Sequence, residues 1–587
     1  MPASPAIGQG DSSGSDLGAY GIGTRLSPSV ATVADVKKEA AAPPAAAGAT
    51  AVAEVDKEIS AKQAFDLAKE LGTAKAWKAF LESYPIGFLP DLARAYLEKL
   101  EGSTPSSTAK APLPAPDNGS VLALPQVFLH RSVIVRGEKF MGFPEKFNRY
   151  YTDQDWKPLA TLYVSPDGSG DGTAREKPMA VKDAFAAARP GTLIYFLRGS
   201  YEGGLEFTNE ASGTYDAPIV LYGEPNDDKS IGVSIACGFG KREACFNFEG
   251  ASYIAADGFE FTGGKFGIRA VGLDFAASQH ARGIAVLNCK GHDQNRDPFF
   301  TAQSDWAVFE GNVAHGAKKE DGHGIYLSNG GDWNIVRFNE TYENESSDLQ
   351  VNADPASACQ EQGIAFVDPR CDAYAGEGEG GQGASDYFLV DSNYFHHGIG
   401  PGANFTSMRR SIVRNNIFGL HATKHNVSFW QETDNPKLGS SENKILHNLF
   451  ITNGRHGVKF EANSTRNEFV NNVVLGVKID GGKTLANPSA LLMDVDDTVG
   501  ENTYRSNLYS PGILEGRKVN ESEIAVDDFS ASWFTSFPTT LNHDPRDFTP
   551  RAGAPFLNKG EVSNAASWDR NGAARSGKVD LGPIEIP

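Results

Sequence analysis

An asparagine that recurs in similar settings along the second half of the chain constrains the fold more than any other feature. It stands in VLNCK, EGNVA, RFNET, DSNYF, RNNIF, LHNLF and VNNVV, as Asn288, Asn312, Asn339, Asn393, Asn416, Asn448 and Asn472. The intervals are 24, 27, 54, 23, 32 and 24 residues, and such a period is typical of solenoids. The Leu-x-x-Leu-x-Leu pattern of leucine-rich repeats is absent from the sequence, so the repeat favours a parallel β-helix.

The physics of a parallel β-helix explains an asparagine at this spacing. Each coil adds short strands that pair in parallel with those of the neighbouring coils. Asparagine tolerates the left-handed conformation that tight turns need, and stacked asparagines can form hydrogen bonds from coil to coil. We therefore interpret the seven asparagines as architecture and not as catalysts.

The chain divides into four segments. Residues 1–55 are rich in Ala, Pro, Gly and Ser and are predicted to be a disordered leader. Residues 56–101 carry apolar side chains at helical spacing, residues 102–159 form a linker and lead-in, and residues 160–587 form the β-helix with C-terminal cap strands. The run AWKAFLESYPIGFLPDLARAYLEKL resembles tetratricopeptide-like helical pairs of bacterial envelope proteins, which implies a protein partner for residues 56–101.

Charge and composition narrow the functional class. The formal net charge is −20 and the pI about 5.1, which argues against a nucleic-acid partner. No run approaches 18 apolar residues, so no membrane span is expected. The first residues have neither the basic start nor the apolar stretch of a signal peptide, which leaves two alternatives: an intracellular protein, or a secreted one whose signal is already removed.

Five cysteines in 587 residues are too few for a disulfide-built scaffold. The spacings of Cys237 with Cys245 and of Cys359 with Cys371 would suit two local disulfides, which leaves Cys289 over. Five reduced thiols remain an equal alternative from spacing alone.

Three phrases carry a family resemblance across residues 160–587. The opening YVSPDGSGDGT followed by AFAAARPGTLIYFLRGSYEG, the phrase SYIAADGFEF, and the closing DFTPRAGAPFLNKG with DLGPIE resemble the right-handed parallel β-helix family of polysaccharide-active proteins. That family includes pectate, alginate and chondroitin lyases, epimerases and polygalacturonases. The resemblance implies an all-β, right-handed, single-stranded β-helix, a polysaccharide substrate, and secretion or residence in the periplasm or cell envelope.

The two longest intervals locate the candidate binding face. They contain insertions at about 352–385 and 431–439, and insertions in solenoids lie on one face. The strands before them are predicted in the runs HGIYLS, SDLQVN, ANFTSM, HNVSFW and HGVKFE. Alternation places inward the residues Ile325, Leu349, Phe405, Val427 and Val458, together with Leu327, Val351, Ser407, Phe429 and Phe460. The two outward columns are then Tyr326, Gln350, Thr406, Ser428 and Lys459, and Ser328, Asn352, Met408, Trp430 and Glu461.

Polar groups mixed with aromatic rings are what a sugar surface requires. A lyase on uronate sugars needs a base and a cation that neutralises the substrate carboxylate. We assign the base to Lys459 or His425 and the neutralising charge to Arg409 or Arg410. Trp430 and Tyr326 would be sugar platforms, and the predicted substrate-binding set is His323, Tyr326, Gln350, Asn352, Trp430, Glu432, His456 and Glu461. The alternative is that Arg410 or Arg414 only pairs with Asp391 or Glu442 on a solvated face.

Other chemistries stay open. Asp348 and Asp354 lie close to Asn352 in sequence and suggest a weak calcium site. The Gly322-His323-Gly324 piece resembles a polygalacturonase motif, but the other elements of that motif are absent from the matching coils. The sequence therefore favours β-elimination on an acidic polysaccharide, with a non-catalytic polysaccharide-binding scaffold, a glycoside hydrolase and an epimerase as alternatives.

Overall fold

The structure is a computed structural model, and its chain divides into two units, residues 21–113 and residues 1–20 with 114–587. The described residues are 74–83, 146–153, 155–240, 242–273, 279–319, 321–353, 384–421, 425–431, 438–453, 456–477, 491–494, 500–537, 547–563 and 565–586. In the smaller unit this covers one α-helix, Ala74–Ser83. The rest of the predicted 56–101 helical unit and the predicted leader 1–55 lie outside the described residues.

Three long parallel sheets build the larger unit. The strands of sheet A are Ala160–Val164, Thr192–Phe196, Ile219–Gly223, Ile254–Asp257, Ala285–Leu287, Val308–Glu310, Ile335–Arg337, Leu389–Asp391, Ile412–Arg414, Lys444–Leu446, Glu468–Val470 and Thr503–Arg505. The strands of sheet B are Gly199–Glu202, Val233–Cys237, Phe259–Gly263, Lys290–His292, Val313–His315, Glu340–Tyr342, Tyr394–His396, Ile417–Gly419, Leu449–Thr452, Val473–Gly476, Leu508–Ser510 and Ile524–Ala525. The strands of sheet C are Leu205–Thr208, Ala244–Glu249, Phe266–Val271, Asp297–Ala302, Ile325–Ser328, Leu349–Asn352, Ala403–Thr406, Val427–Trp430, Val458–Phe460, Leu492–Asp494 and Leu514–Glu515.

Small elements complete the unit. Two short parallel sheets pair Ala281–Arg282 with Ser304–Asp305 and Ser385–Asp386 with Met408–Arg409, and an antiparallel pair joins Phe534–Ser536 to Asp547–Pro550. The helices are Arg149–Thr152 and Val181–Ala187, with 3₁₀ turns at Asn209–Ala211 and Ala531–Trp533.

The chain visits the sheets in the order A, B, C in each coil, and each strand pairs with the strand of the same sheet one coil away. Side chains that alternate inward stack into a continuous core, for example Phe395, Phe418 and Phe450 on sheet B with ring centroids 5.0 and 5.2 Å apart. Parallel crossovers of this kind are right-handed. The predicted fold class, a right-handed single-stranded parallel β-helix, is therefore confirmed.

An asparagine ladder runs along the corner between sheets A and B. In it the side-chain Oδ1 of each asparagine after the first accepts hydrogen bonds of 2.8–3.2 Å from the backbone N–H and the Nδ2 of the asparagine one coil earlier. The ladder consists of Asn312, Asn339, Asn393, Asn416, Asn448, Asn472 and Asn507. The architectural interpretation of the recurring asparagines is confirmed for six of the seven that the sequence pointed to.

Two details of that interpretation are wrong. Asn288 is not a ladder member, because Cys289 occupies the ladder position of its coil and Asn288 donates from Nδ2 to Asp257 instead. The left-handed residue is the one before each ladder asparagine, such as Phe338 with φ of 54° and His447 with φ of 53°. The ladder asparagine itself supplies hydrogen bonds and not the unusual backbone angle.

Parts of the outer faces of sheets A and B are covered by chain segments that flank the coils. Phe147, Tyr150, Tyr151 and Trp156 pack with outward residues of sheet A in one apolar cluster. Tyr150 and Tyr151 also donate from their hydroxyls to Asp257 (2.7 Å) and Glu310 (2.6 Å). The C-terminal region packs on sheet B through Phe534, Phe548, Phe556, Leu581 and Ile584.

Cys237 and Cys245 form a disulfide between the end of a sheet B strand and the next sheet C strand. Cys289 is a buried free thiol, and the second predicted pair, Cys359 and Cys371, lies outside the described residues. Within the described ranges, no helix is both long and apolar enough to cross a membrane.

Candidate functional site

Both insertions follow strands of sheet C, Leu349–Asn352 and Val427–Trp430, as the sequence predicts. The register agrees with the predicted columns for four of the five strands: Tyr326 pairs with Gln350, and Ser428 with Lys459. The outer face of sheet C across these strands is the candidate site.

The remaining strand, Ala403–Thr406, is shifted by two residues from its predicted register. Asn404 and Thr406, rather than Thr406 and Met408, pair with Gln350 and Asn352, and Phe405 consequently pairs with Val351 instead of Leu349. Ser407, predicted to point inward within this strand, adopts a left-handed φ of 57° that ends it. Met408 therefore belongs to a separate two-stranded sheet, and the sequence prediction missed Asn404.

Asn404 is the centre of a hydrogen-bonded network on this face. Its Nδ2 donates to Gln350 Oε1 at 3.0 Å, and its Oδ1 accepts from Ser428 Oγ at 2.5 Å and from Trp430 Nε1 at 2.7 Å. Ser347 Oγ also donates to Gln350 at 3.0 Å. Trp430 and Asn404 are half-buried, while Gln350 and Ser428 are buried, so the network fixes the orientation of the indole ring.

Lys459 follows this network on the next strand. Its Nζ lies 2.5 Å from Glu461 Oε2, and both side chains are half-buried. The rings of His425 and His456 stack with centroids 6.2 Å apart at the starts of the same two strands. The structure therefore places Trp430, Lys459 and Glu461 near the carboxyl ends of these two strands and the two histidines at their amino ends.

Tyr326 and His323 lie at the other end of the candidate face, on or just before the strand Ile325–Ser328. Tyr326 is buried, with 2% of its surface exposed, and its ring is 4.7 Å from that of His323 and 5.3 Å from that of Phe300. Burial lowers the pKa of His323 to about 3, and its Nδ1 accepts from the N–H of Ser347. His323 is therefore a neutral residue of the interior, and Asn352 is likewise buried.

Arg409 and Arg410 do not lie on the candidate face. Arg409 is buried and makes a bidentate pair with Asp386, with bonds of 2.8 and 2.9 Å. Arg410 pairs with Glu442 at 3.2 Å and Arg414 with Asp391 at 2.9 Å. The predicted pairing thus describes Arg410 and Arg414, although Arg414 and Asp391 are buried rather than on a solvated face. The turn at Ser407 carries the chain away from sheet C before Arg409.

Asp348 lies in the interior, where its Oδ2 is 2.9 Å from His421 Nε2 and its Oδ1 accepts from Asn344 at 2.8 Å. Burial raises the pKa of Asp348 to about 6. Since both oxygens have protein partners, Asp348 is not presented to a calcium ion. Asp354 and Glu432 lie outside the described residues, and within the described ranges no group of three or more Asp, Glu, His and Cys side chains is arranged to hold a metal.

No protein-family model matches the chain, and a search of curated proteins finds no match. Among solved structures the fold is similar to pectate lyase Pel9A, with a TM-score of 0.46 and 15% identity over 74% of this chain and 98% of the other. For XylC in complex with xylose, the TM-score is 0.45 and the identity 9%, over 73% of this chain and 98% of the other. For the A-module of the Azotobacter vinelandii mannuronan C-5 epimerase AlgE6, the TM-score is 0.37 and the identity 12%, over 62% of this chain and 100% of the other.

The three long parallel sheets define the class of the chain as a parallel β-helix. At such identities the likeness concerns the fold. What the chain does with that fold depends on its own side chains.

Proposed function

We propose that this chain binds an acidic polysaccharide along the outer face of sheet C and cleaves it by β-elimination. The observation that carries the proposal is the adjacency of a sugar-type surface, Asn404 with Trp430, to an ion pair, Lys459 with Glu461. Indole rings stack on pyranose faces, and fixed amides match hydroxyl groups. A lysine held in position beside such a surface is a candidate for proton transfer.

In β-elimination the base removes the proton on the carbon next to the uronate carboxylate. The electron pair forms a double bond to the neighbouring carbon, whose bond to the glycosidic oxygen breaks, and that oxygen takes a proton. Lys459 lies opposite Ser428 on the adjacent strand, and His425 lies three residues before Ser428, so their backbones are on the order of 10 Å apart. We assign the base to the Lys459 amine, which releases its ammonium proton to solvent before it acts, and Glu461 fixes the position of its Nζ.

The substrate carboxylate needs a cation while the carbanion forms. Arg409 and Arg410 are engaged elsewhere, and the described residues include no cluster that would hold a metal, so a calcium ion in this role would have to arrive with the substrate, and the assay varies calcium directly.

Secretion or residence in the envelope is part of the proposal. It is supported by the Cys237–Cys245 disulfide, because disulfides persist in oxidising compartments. A partner for the unit containing helix Ala74–Ser83 remains a proposal from the sequence.

The first test follows the ultraviolet absorbance of the unsaturated uronate product on pectate, alginate, chondroitin and hyaluronan, with and without calcium. We expect Lys459→Ala to abolish turnover, Glu461→Gln to lower it at least tenfold, and His425→Ala to retain most of it, while all three still bind substrate. Loss in His425→Ala with activity kept in Lys459→Ala would refute the assigned base.

Binding without turnover is the second candidate function. It is favoured by the buried, mutually satisfied Gln350–Asn404–Ser428 bonds, which also suit a scaffold. Affinity for a polymer in a wild-type protein that gives neither absorbance nor new reducing ends would establish it.

A further inference from the structure

An aromatic row continues the candidate face beyond Tyr326, into coils that the sequence prediction did not include. The Phe300 ring lies 5.3 Å from Tyr326, and the Phe266 ring lies 5.3 Å from Phe300. The three residues come from three successive strands of sheet C. Phe266 and Tyr326 are buried, whereas Phe300 is half-buried and is the ring of this row that a ligand can reach.

Two cations converge on this row. Lys265 Nζ lies 5.6 Å and Arg296 Cζ 5.9 Å from the centre of the same Phe266 ring. Lys265 is exposed, whereas Arg296 is half-buried. Two positive charges beside one ring concentrate cationic charge at this place in a chain of net charge −20.

The carboxyl nearest to Arg296 is a weak counter-ion. Asp297 Oδ2 lies 3.3 Å from Arg296 Nε, but Asp297 is fully buried and its Oδ1 accepts from the N–H of His323. Burial raises the pKa of Asp297 to about 7, because the charged form is poorly solvated. Much of the positive charge around Phe266 therefore remains available to an anion.

We propose that Lys265, Phe266, Arg296 and Phe300 form a remote subsite for a carboxylate-bearing sugar of the bound polymer. This inference rests on the proposed function for its occupant. Charge complementarity identifies the ligand as a uronate, and the half-buried Phe300 ring supplies the surface on which the sugar ring stacks.

The position of the subsite sets the length of chain that is bound. Six strand spacings separate the strand of Phe266 from that of Lys459, on the order of 29 Å at about 4.8 Å each. A short oligosaccharide at Lys459 does not reach Phe266, whereas a long one does. The subsite thus favours the binding of long chains over short ones.

The experiment measures binding of fluorescent oligogalacturonides and alginate oligomers, as trimers and as dodecamers, to the full chain. For Lys265→Ala we expect the dodecamer Kd to rise about threefold to fivefold, the size of one exposed charge interaction, and the trimer Kd to stay unchanged. Lys265→Glu should raise the dodecamer Kd further. Lys444→Ala, an exposed lysine of sheet A, is the matched control and should change neither.

Dodecamers with methyl-esterified carboxyls separate charge from other effects, and Lys265→Ala should not alter their binding. Equal weakening of trimers and dodecamers, weakening with the esters, no change with the dodecamer, or no binding of any oligomer by the wild type would each overturn the subsite. The absorbance assay reports separately on the proposed function. Length-dependent loss in Lys265→Ala without any unsaturated product would uphold the subsite and refute elimination, and product formation without that loss would do the reverse.

Discussion

Each asparagine of the ladder satisfies backbone groups of two coils at once. Asn416 shows the arrangement: its Oδ1 accepts from the N–H and Nδ2 of Asn393, and its Nδ2 donates to the carbonyl of Val390 and to Asn448. Ladder asparagines are fully buried, so water cannot replace these bonds. The ladder therefore stabilises the corner in the way a sheet stabilises its strands.

Asn416→Ala should lower the free energy of unfolding by about 3 kcal/mol, because it leaves the Asn393 N–H and the Val390 carbonyl unpaired in the interior. Urea denaturation followed by circular dichroism measures this. Asn295→Ala, at an exposed asparagine, is the control and should change stability by less than about 0.5 kcal/mol. Equal effects would show that the ladder bonds contribute little.

Asp297 makes stability depend on pH in a predictable direction. Because its pKa is raised to about 7 in the folded state, the folded chain holds this proton more tightly than the unfolded chain does. The stabilisation is complete below pH of about 4 and is lost as the pH rises towards 7.

Asp297→Asn keeps an oxygen for the His323 N–H and cannot ionise. Relative to wild type, the variant should therefore gain on the order of 3 kcal/mol of unfolding free energy between pH 4 and pH 8, measured by denaturant titration. Asp171→Asn alters an exposed carboxyl whose pKa is lowered by hydrogen bonds from Thr173, so it should show no gain in that interval. A constant difference between Asp297→Asn and wild type would contradict the assignment.

At the scale of the element, the corner between sheets C and A repeats one backbone geometry with several chemistries. Residues with left-handed φ occupy the same place in successive coils and stack: Trp306 on Trp333 at 4.9 Å, and Trp333 on Tyr387 at 4.2 Å. Farther along, Arg410 and Arg466 both pair with Glu442. Aromatic stacking in some coils and ion pairs in others thus stabilise the same corner. No single residue type therefore recurs at this corner in the sequence.

The same geometry explains the shifted strand. The run ANFTSM alternates like a strand as far as Met408, but Ser407 is left-handed and Met408 starts another sheet. Alternation is a local signal and does not show where a strand ends. The correct register needs the pairing of Asn404 with Gln350 and Ser428, which only neighbouring coils define.

For the whole molecule, the segments outside the coils decide which sheet can bind a ligand. The C-terminal region covers apolar outward residues of sheet B such as Leu449 and Val473, and the lead-in around Tyr151 covers part of sheet A. The polar outer side chains of sheet C have a different composition, with amides, hydroxyls and an indole. This contrast is what singles out sheet C as the candidate binding face.

Phe556→Ala should lower the free energy of unfolding by about 3–5 kcal/mol, because Phe556 is 1% exposed within the cluster on sheet B and its loss leaves a cavity. Thermal unfolding followed by calorimetry measures the effect. Phe239→Ala, at a phenylalanine 45% exposed, should be close to neutral. A small effect at Phe556 would show that the C-terminal region is dispensable for the stability of the coils.

The sequence by itself determined the parallel β-helix, the ladder and the side of the coils from which the insertions leave, because each follows from a repeated local pattern. Tertiary structure decided the rest. The sequence suggests that Arg409 and Asp348 can contact a ligand, but they pair with Asp386 and His421. Asn404 belongs to the site because of the register of its strand. Ion pairing and burial join residues from different coils, and a linear pattern carries no information about which partners meet there.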